Sequence, residues 1–396
     1  MAESKYHVVI GVTGSVAAYR AADLVRELMR RGCEIRVCLT EAAKKFVSPI
    51  LFEALTGNPV VADVFDEPER GRMAHIDWAR WADAVVVAPA TANTLSKIST
   101  GEADDMLTTI CLATTAPLVL APAMNPQMYA APPTQVALGV LAARGAVIVE
   151  PSSGDVACGE QGQGKLAAIG EIVSATMQVL EAGPLLEGKK VVITSGPTQE
   201  PIDMVRFISN RSSGKMGAAL AKAAILMGAD VTVVSGPSKA VLPLGAEIIR
   251  VTSADEMLEA ARAASVGADW IIGAAAVADY KPSRVLAGKR RRDDETWILE
   301  LVPNPDIITT LARENPRAKA VGFAAEPGPE TETARDKLIR KGLYAIAFND
   351  VSDSSIGFDS DSNELTLLFA SGAETKSDRI SKLGCGLWLL KELAKS

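Results

Sequence analysis

The sequence has few of the side chains that bind transition metals, and its cysteines are not arranged in pairs. It contains two histidines and five cysteines among 396 residues, and no two cysteines are spaced as Cys-x-x-Cys. An odd, scattered set of cysteines predicts neither a disulfide framework nor a thiolate zinc site. Any metal is therefore expected to be a hard cation such as Mg2+, bound by carboxylates and phosphates.

A basic excess and a long apolar run are missing as well. The 41 lysines and arginines are outnumbered by 48 aspartates and glutamates, so a nucleic-acid partner is not expected. The one basic run, Lys289–Arg292, suits either a solvated turn or a local anion site. No run reaches the roughly 18 apolar residues that cross a bilayer, and the N-terminal residues do not resemble a secretion signal. These features predict a cytoplasmic protein with no membrane partner.

Short β-branched runs alternate with longer helical patterns rich in Ala, Leu and Arg. This alternation is typical of a parallel sheet with helices on both faces. The pattern breaks at Glu181–Gly188 and starts again, and 48% hydrophobic content is enough for two cores. We therefore predict two doubly wound, Rossmann-like α/β domains, over residues 1–188 and 189–396. The second is predicted to have an antiparallel edge at Glu364–Phe369 and a closing helix at Ser377–Lys395.

Four loops of the first domain follow predicted strands and consist mainly of small or polar residues. They are Gly11–Ser15, Thr40, Ala88–Thr94 and Ala121–Tyr129. In an open α/β sheet, ligands bind outside the carboxyl ends of the strands, where backbone amides and helix N-termini face anions. Neither GxxxxGK[ST] nor a clean GxGxxG occurs, so the usual ATP and NAD fingerprints are absent. As a set, the four loops predict a cofactor crevice.

Three residues in this half have both a structural and a chemical interpretation. His75, in a helical stretch ahead of the third strand, is either a structural histidine or a general base. Asn125 is either a helix N-cap or a ligand-binding amide. Cys158 lies in a Gly-rich stretch that does not suit a structural cysteine, which favours a reactive thiol.

Five segments of the first domain resemble those of the flavin-dependent phosphopantothenoylcysteine decarboxylases. They are TGSVAAYR from Thr13, the His75 segment Met73–Trp81, APATANT from Ala88, PAMNPQM from Pro122 and ACGEQGQGK from Ala157. The resemblance implies a flavodoxin-like sheet that binds FMN, with the flavin oxidising the cysteine side chain of the substrate so that CO2 leaves readily.

The same resemblance implies roles for individual residues. His75 would act as the base, Asn125 would hold the substrate carboxylate, and Cys158 would donate a proton to the product. The expected FMN-binding residues are Gly14, Ser15, Thr40, Ala90, Thr91 and Asn93.

The second domain resembles the CTP-dependent phosphopantothenate-cysteine ligases, most distinctively through SGPTQE at Ser195–Glu200 and NRSSGKMG at Asn210–Gly217. The other segments that carry this resemblance are Gly273–Tyr280, Asn304–Ile308, Gly322–Glu326 and Asn349–Ser352. The resemblance implies that CMP is attached to the carboxylate of 4'-phosphopantothenate, with release of pyrophosphate, and that the cysteine amine then attacks the acyl-cytidylate. Asn210 and the Ala275–Ala276 backbone would hold this intermediate, and Lys289 would act from a basic flap. The expected CTP-binding residues are Gly273, Ala274, Ala275, Asp279, Lys289, Pro305, Asp306, Ile307, Ile308, Phe323, Lys337 and Lys341.

The leading hypothesis is a bifunctional enzyme of coenzyme A biosynthesis that uses 4'-phosphopantothenate, cysteine and CTP, with FMN and Mg2+ as cofactors. The product of the second domain would be the substrate of the first. A flavin-binding regulatory protein and a decarboxylase of peptide C-terminal cysteines are the alternatives; retained His75, Asn125 and Cys158 disfavour the former, and the fused ligase disfavours the latter. The resemblance also implies a homo-oligomer, with decarboxylase trimers and ligase dimers combined in a dodecamer.

Overall fold

The computed structural model describes residues 6–65, 73–155, 160–291, 296–326, 328, 331–350, 352 and 360–395. The chain divides into two compact units, Met1–Glu181 and Ala182–Ser396. Leu186 belongs to the second unit, because its side chain is buried in that unit's core and its amide donates to the Met227 carbonyl. The boundary expected at residue 188 therefore lies a few residues inside the second unit. The assignment of one activity to each side of this boundary stays a prediction.

The first unit is built on one parallel sheet with the strand order β2-β1-β3-β4-β5. Its elements are β1 (Tyr6–Val12), α1 (Ala21–Arg30), β2 (Cys33–Leu39), α2 (Pro49–Thr56), α3 (Ala74–Trp81), β3 (Ala84–Ala90), α4 (Ala92–Thr100), α5 (Met106–Ala113), β4 (Leu118–Pro122), α6 (Pro126–Ala130), α7 (Pro132–Ala143), β5 (Val147–Ile148), β6 (Ser152–Asp155), β7 (Gln161–Lys165) and α8 (Ile169–Ala182). Strands β6 and β7 form a separate antiparallel hairpin.

The β-branched runs form strands here because the sheet interior is buried. Val9, Val85 and Val87 are fully buried and pack with Leu95 of α4 and Leu107 of α5. Each such side chain contributes about 1.5–3 kcal/mol relative to exposure. The order 2-1-3-4-5 is the flavodoxin-like one, so the fold class predicted for this half is confirmed. In this order the chain reverses its direction of winding between β1 and β3.

The second unit contains an eight-stranded mixed sheet with the order β12-β11-β8-β13-β16-β17-β19-β20. Its elements are β8 (Lys190–Ser195), β9 (Gln199–Pro201), β10 (Phe207–Ser209), α9 (Lys215–Leu226), β11 (Asp230–Ser235), β12 (Glu247–Arg250), α10 (Ala254–Ala264), β13 (Trp270–Gly273), β14 (Tyr280–Pro282), β15 (Leu301–Pro303), α11 (Ile307–Glu314), β16 (Lys319–Glu326), α12 (Glu332–Arg340), β17 (Ala345–Asp350), β18 (Ser362–Asn363), β19 (Thr366–Phe369), β20 (Glu374–Lys376), β21 (Ile380–Ser381) and α13 (Lys382–Lys395).

The first six strands of this sheet are parallel and follow the Rossmann order 3-2-1-4-5-6, counted within the unit. Helices cover both faces: Val191 and Ile193 pack toward α9 and α13, while Val234 and Ile271 pack toward α10 and α11. Strands β19 and β20 are antiparallel, which confirms the predicted edge.

The closing helix begins at Lys382, later than the predicted Ser377. The Ser377 amide donates to the Leu365 carbonyl, and its Oγ accepts from the Leu365 amide, so this residue extends the antiparallel pairing. Ile380 and Ser381 then pair with β18 before the helix starts. The residues before Lys382 have a helical sequence pattern, but they form backbone hydrogen bonds with residues 362–365 instead.

Two kinds of feature are not found among the described residues. None of the helices there has the length and the hydrophobicity that crossing a membrane requires. Likewise, no three His, Cys, Asp or Glu side chains within those ranges are grouped so that they could hold a metal ion.

Candidate functional site

The carboxyl ends of β1, β2 and β3 are tied together at one edge of the first sheet. The Thr13 hydroxyl donates to the Pro89 carbonyl at 2.6 Å and accepts from the Thr91 amide at 3.1 Å. The Thr40 amide donates to the Val12 carbonyl at 3.1 Å. These bonds lie where the strand order reverses, which is the place where sheets of this type bind ligands. The predicted residues that lie at this edge are Gly14, Ser15, Thr40, Ala90 and Thr91.

Two helical segments begin at this edge and present backbone amides. Thr91 caps α4 by accepting from the Thr94 amide, and Ser15 accepts from the Ala17 amide at the start of a 3-10 turn. Asn93 is exposed in the first turn of α4. Helix N-termini carry partial positive charge and attract anions. The edge therefore suits a phosphate-bearing ligand.

Gly14 allows the loops after β1 and β2 to touch. A Cβ atom at this position would collide with the Ala42 Cβ and would lie 3.2 Å from the Ala42 carbonyl carbon. Any larger residue would force the two loops apart, and the spacing of the edge would change.

His75 lies in the first turn of α3, which confirms the predicted helix ahead of the third strand. A helix that connects parallel strands runs antiparallel to them, so this first turn points toward the carboxyl edge of the sheet. The His75 Nδ1 atom is buried and has no hydrogen-bond partner among the described residues. Buried polar atoms nearly always have a partner, so a bound ligand is a natural source of one.

Asn125 follows β4 and has hydrogen bonds at both ends of its amide. Its Oδ1 accepts from the Gln127 amide and so caps α6, while its Nδ2 donates to the Glu160 carboxylate, each at 2.8 Å. The Met124 amide donates to the Gly164 carbonyl at 2.9 Å, so the β6–β7 hairpin lies against this loop. Cys158 lies outside the described residues.

The second unit has its own reversal point, between β8 and β13. Beyond the strand ends, the Ala276 amide donates to the Gly196 carbonyl at 2.9 Å and the Ala278 amide donates to the Thr198 hydroxyl at 3.0 Å. The Asn210 Nδ2 donates to the Val277 carbonyl at 2.9 Å. Asn210 is thereby held close to the Ala275–Ala276 backbone, and that these residues share one ligand stays a prediction.

A cavity of about 440 Å³ opens at this point. Six of the predicted residues line it, namely Asn210, Ala274, Ala275, Ala276, Asp279 and Phe323. Arg211, Lys215 and Lys382 also line it, and Asp279 is the one carboxylate among its lining residues, while Lys215 pairs with Asp361 at 2.6 Å. This balance of charge favours an anionic ligand.

The remaining predicted nucleotide-binding residues do not line this cavity. The exposed Lys289 lies in the loop after β14, and Lys337 lies in the last turn of α12. Ile308 packs against Gly273, where a Cβ atom would lie 3.2 Å from the isoleucine side chain. The other predicted residues outside the cavity lining are Pro305, Asp306, Ile307 and Lys341.

Asp306 and Lys341 form an ion pair of 3.0 Å. Burial raises the pKa of the Asp306 carboxyl, but hydrogen bonds from Lys341 and Thr309 outweigh this effect and hold the pKa below its usual value. The neighbouring Asn304 donates from its amide to the Asp279 carbonyl and from Nδ2 to the Ala278 carbonyl, each at 2.8 Å. The segment after β15 is therefore fixed beside Asp279.

Several residues that line the cavity received no role from the sequence. Asn349 lies near the end of β17, Asn363 is buried in β18, and Lys382 begins α13. In the sequence they are separated by many residues, and Lys382 has the pattern of an ordinary helix residue. The Asn349–Ser352 segment was the only sequence signal for any of them.

The folds place the chain in a class: a two-unit α/β protein with a flavodoxin-like half and a Rossmann-like half. Residues 1–181 match the family described as Flavoprotein, and residues 186–396 match the DNA/pantothenate metabolism flavoprotein C-terminal domain. The chain belongs to the family of bifunctional coenzyme A biosynthesis proteins, and it is an enzyme with a decarboxylase half and a ligase half.

Known relatives cover nearly the whole chain. It is 43% identical to the coenzyme A biosynthesis bifunctional protein CoaBC of Bacillus subtilis over 98% of this chain and 96% of that protein. It is 44% identical to CoaBC of Escherichia coli K12 over 92% of this chain and 91% of that protein. A crystal structure of the C-terminal domain of a CoaBC protein is 35% identical, covers 54% of this chain and 97% of that domain, and has a TM-score of 0.46.

Proposed function

We propose that the first unit is an FMN-dependent phosphopantothenoylcysteine decarboxylase and the second a CTP-dependent phosphopantothenate-cysteine ligase. One observation carries the proposal. In each unit, loops that follow the strands are tied together at the point where the strand order reverses. Family membership supports the pair of reactions. The residues at each edge have the chemistry that the proposed reaction needs.

FMN, when bound, would supply the reversible oxidation that makes loss of CO2 easy. The amides at the starts of α4 and of the Val16–Arg20 turn would hold its phosphate. His75 would accept a proton from the substrate, since a neutral imidazole is a suitable base near pH 7 and its buried Nδ1 has no partner within the described ranges.

Asn125 would orient the substrate carboxylate. Its Oδ1 is fixed by capping α6, so its Nδ2 is directed to one place, which the Glu160 carboxylate now occupies. A substrate carboxylate would take the position of that Glu160 group. Cys158 would then donate a proton to the product, a role that rests on the resemblance alone.

In the second unit, Asn210 and the Ala275–Ala276 backbone would hold the acyl-cytidylate, and the cationic cavity would stabilise the phosphate charge. Mg2+ would enter with the nucleotide, because Mg2+ is usually bound through substrate phosphates and few protein carboxylates. Asp279 and the Asn304-anchored segment would contact the nucleotide. Lys289 would reach the site from its exposed loop.

The central test uses purified full-length protein with 4'-phosphopantothenate, cysteine, CTP and Mg2+. We expect release of pyrophosphate and CO2, formation of 4'-phosphopantetheine, and a flavin absorption spectrum. Adding a chelator should stop pyrophosphate release but not the decarboxylation of supplied phosphopantothenoylcysteine. Absence of both pyrophosphate and CO2 in the complete mixture would contradict the proposal, and CO2 release from a peptide C-terminal cysteine alone would favour the alternative substrate.

Gly164→Ala is expected to impair the decarboxylase half. Gly164 has a φ of +154°, and a Cβ atom there would collide with the Met124 carbonyl oxygen and lie 3.3 Å from the Asn125 carbonyl carbon. The hairpin would have to move away from the Asn125 loop. A shift of about 1 Å can reduce a rate about 100-fold, so we expect decarboxylation to fall by about that factor.

Gly170→Ala is the matched control for this substitution. Gly170 lies in α8, and apart from its chain neighbours and the nearby backbone of its own helix no atom lies within 4 Å of the position of its added Cβ. This variant should keep full decarboxylase activity, because alanine favours a helix. If Gly164→Ala retained the same activity as Gly170→Ala, close contact between hairpin and loop would not be required for the reaction.

Location and assembly are further parts of the proposal. The four described cysteines are free and buried, as suits the reducing cytoplasm. Trimers of the first unit and dimers of the second, combined in a dodecamer, are expected from the resemblance. Light scattering on the purified protein would give the mass of the assembly.

A further inference from the structure

Asp203 is a buried carboxylate that the proposed reactions do not use. It is 4% exposed and lies between β9 and β10, ahead of the strand that leads to Asn210. Its Oδ1 accepts from the amides of Val205 and Arg206, each at 2.9 Å. Its Oδ2 accepts from the Arg206 Nε at 3.0 Å and also from a terminal nitrogen of that guanidinium. Burial of this charge is thus compensated by pairing and by hydrogen bonds.

The same carboxylate reaches the loop after β14, at the residue that follows Lys289. The Arg290 amide donates to the Asp203 Oδ2 at 3.3 Å, and the Arg290 carbonyl accepts from the Arg206 guanidinium at 3.2 Å. Both polar groups of the Arg290 backbone are therefore bound by residues of the β9–β10 connection. Because the Arg290 amide belongs to the planar peptide group that follows Lys289, these bonds fix the backbone from which the Lys289 side chain extends.

Trp297, farther along the same loop, lies against both arginines. The guanidinium carbon of Arg206 is 4.6 Å from the centre of the Trp297 ring, and that of Arg290 is 5.1 Å from it. An indole face attracts a guanidinium group within about 6 Å. Two like charges meet at one ring here, and the Asp203 carboxylate, which pairs with Arg206, offsets one of them.

We propose that Asp203 and Trp297 are positioning residues, which hold the loop after β14 against the β9–β10 connection and thereby hold Lys289 in place for ligation. The inference rests on the proposed role of Lys289 and adds the residues on which that role would depend. The Leu286 amide, which donates to the Ile202 carbonyl at 3.0 Å, ties the start of the same loop to the same connection. Lys289 is exposed, so a released backbone would lower the fraction of molecules in which its side chain is in place.

Limited trypsin digestion of the full-length protein tests this anchor without any substrate. Trypsin cleaves after lysine and arginine, so the basic run that starts at Lys289 is itself the probe. In Trp297→Leu, which removes the ring but keeps an apolar side chain, cleavage within this run should be about tenfold faster, because two cation–π contacts are lost and cleavage follows the population of the released loop. Trp297→Phe keeps an aromatic face and should restore most of the protection. Cleavage elsewhere in the chain should be unchanged, whereas a general loss of stability would raise it at many sites.

Ile298→Ala is the matched control, because Ile298 is the next residue and its side chain is 86% exposed. It should leave cleavage of the basic run unchanged. Asp203→Asn is a second variant of the anchor itself. It removes the charge that pairs with Arg206 and weakens the acceptor of the Arg290 amide, so it should also speed cleavage of the run.

Release of pyrophosphate from CTP is the second readout. In Trp297→Leu its kcat should fall about tenfold, while decarboxylation of supplied phosphopantothenoylcysteine by the same preparation should be unchanged. Equal trypsin cleavage of the basic run in Trp297→Leu and the unsubstituted protein would overturn the anchor, and faster cleavage with undiminished pyrophosphate release would overturn its link to Lys289. Failure of the unsubstituted protein to release pyrophosphate would instead contradict the ligase proposal, and the cleavage rates would still decide on the anchor.

Discussion

Replacement of His75 by asparagine is expected to lower the rate of decarboxylation by about 10²- to 10⁴-fold, the range that loss of a general base produces. The imidazole lies in the first turn of α3, and its buried Nδ1 has no partner among the residues that the structure describes. Asparagine is polar and of similar size near the backbone, but it cannot accept a proton near neutral pH. The measurement is formation of CO2 from supplied phosphopantothenoylcysteine.

Two internal controls make this result specific. The same preparation should release pyrophosphate from CTP at the normal rate, because the ligase site belongs to the other unit. His7→Asn should retain decarboxylation: the His7 ring stacks on Trp81 at 4.6 Å, and its nitrogens lie near Glu34 and Asp83. A His75 variant with bound flavin and an undiminished rate would remove the general-base role.

Gly217→Ala is expected to have the converse effect, a loss of ligation of about 100-fold with normal decarboxylation. Gly217 lies in the first turn of α9, and a Cβ atom there would lie 2.5 Å from the Ser195 Cβ and 3.2 Å from its Cα. Ser195 ends β8 and is fully buried, so the strand cannot give way. The helix N-terminus would be displaced instead, and about 1 Å of displacement is enough for this loss.

Gly245→Ala is the control in the same unit. Its added Cβ would make ordinary contact with Ile225, at 3.4 Å. Pyrophosphate release should be unchanged in this variant, and thermal unfolding should show that both variants are folded. If Gly217→Ala ligated normally, the close packing of α9 on β8 would not be needed to position the cavity.

The alternation of β-branched runs and helical patterns was sufficient to predict the fold class. Strands such as β1 and β3 are buried on both faces, and continuous apolar runs are the direct result of that burial. The order of the strands was not contained in this pattern. The start of α13 was also missed, because Ser377 pairs with Leu365, a residue that is distant in the local pattern.

The candidate sites were predicted where a loop has a distinctive composition. The Gly14–Ser15 loop and the Asn210–Gly217 segment are of this kind, and both lie at the reversal points of their sheets. The family resemblance was confirmed by relatives that cover more than nine-tenths of the chain. The individual roles of His75, Asn125 and Lys289 stay predictions, and Cys158 lies outside the described residues.

The sequence by itself determined the class of fold, the presence of two similar α/β halves and the family, because each depends on local composition and ordered motifs. Only the tertiary structure decided which residues share a cavity. Lys382, Asn363 and Asn210 come from separate parts of the chain, and they line one cavity because the fold brings the start of α13, strand β18 and the segment after β10 together. Burial and electrostatics at such a point depend on three-dimensional proximity, which sequence distance does not encode.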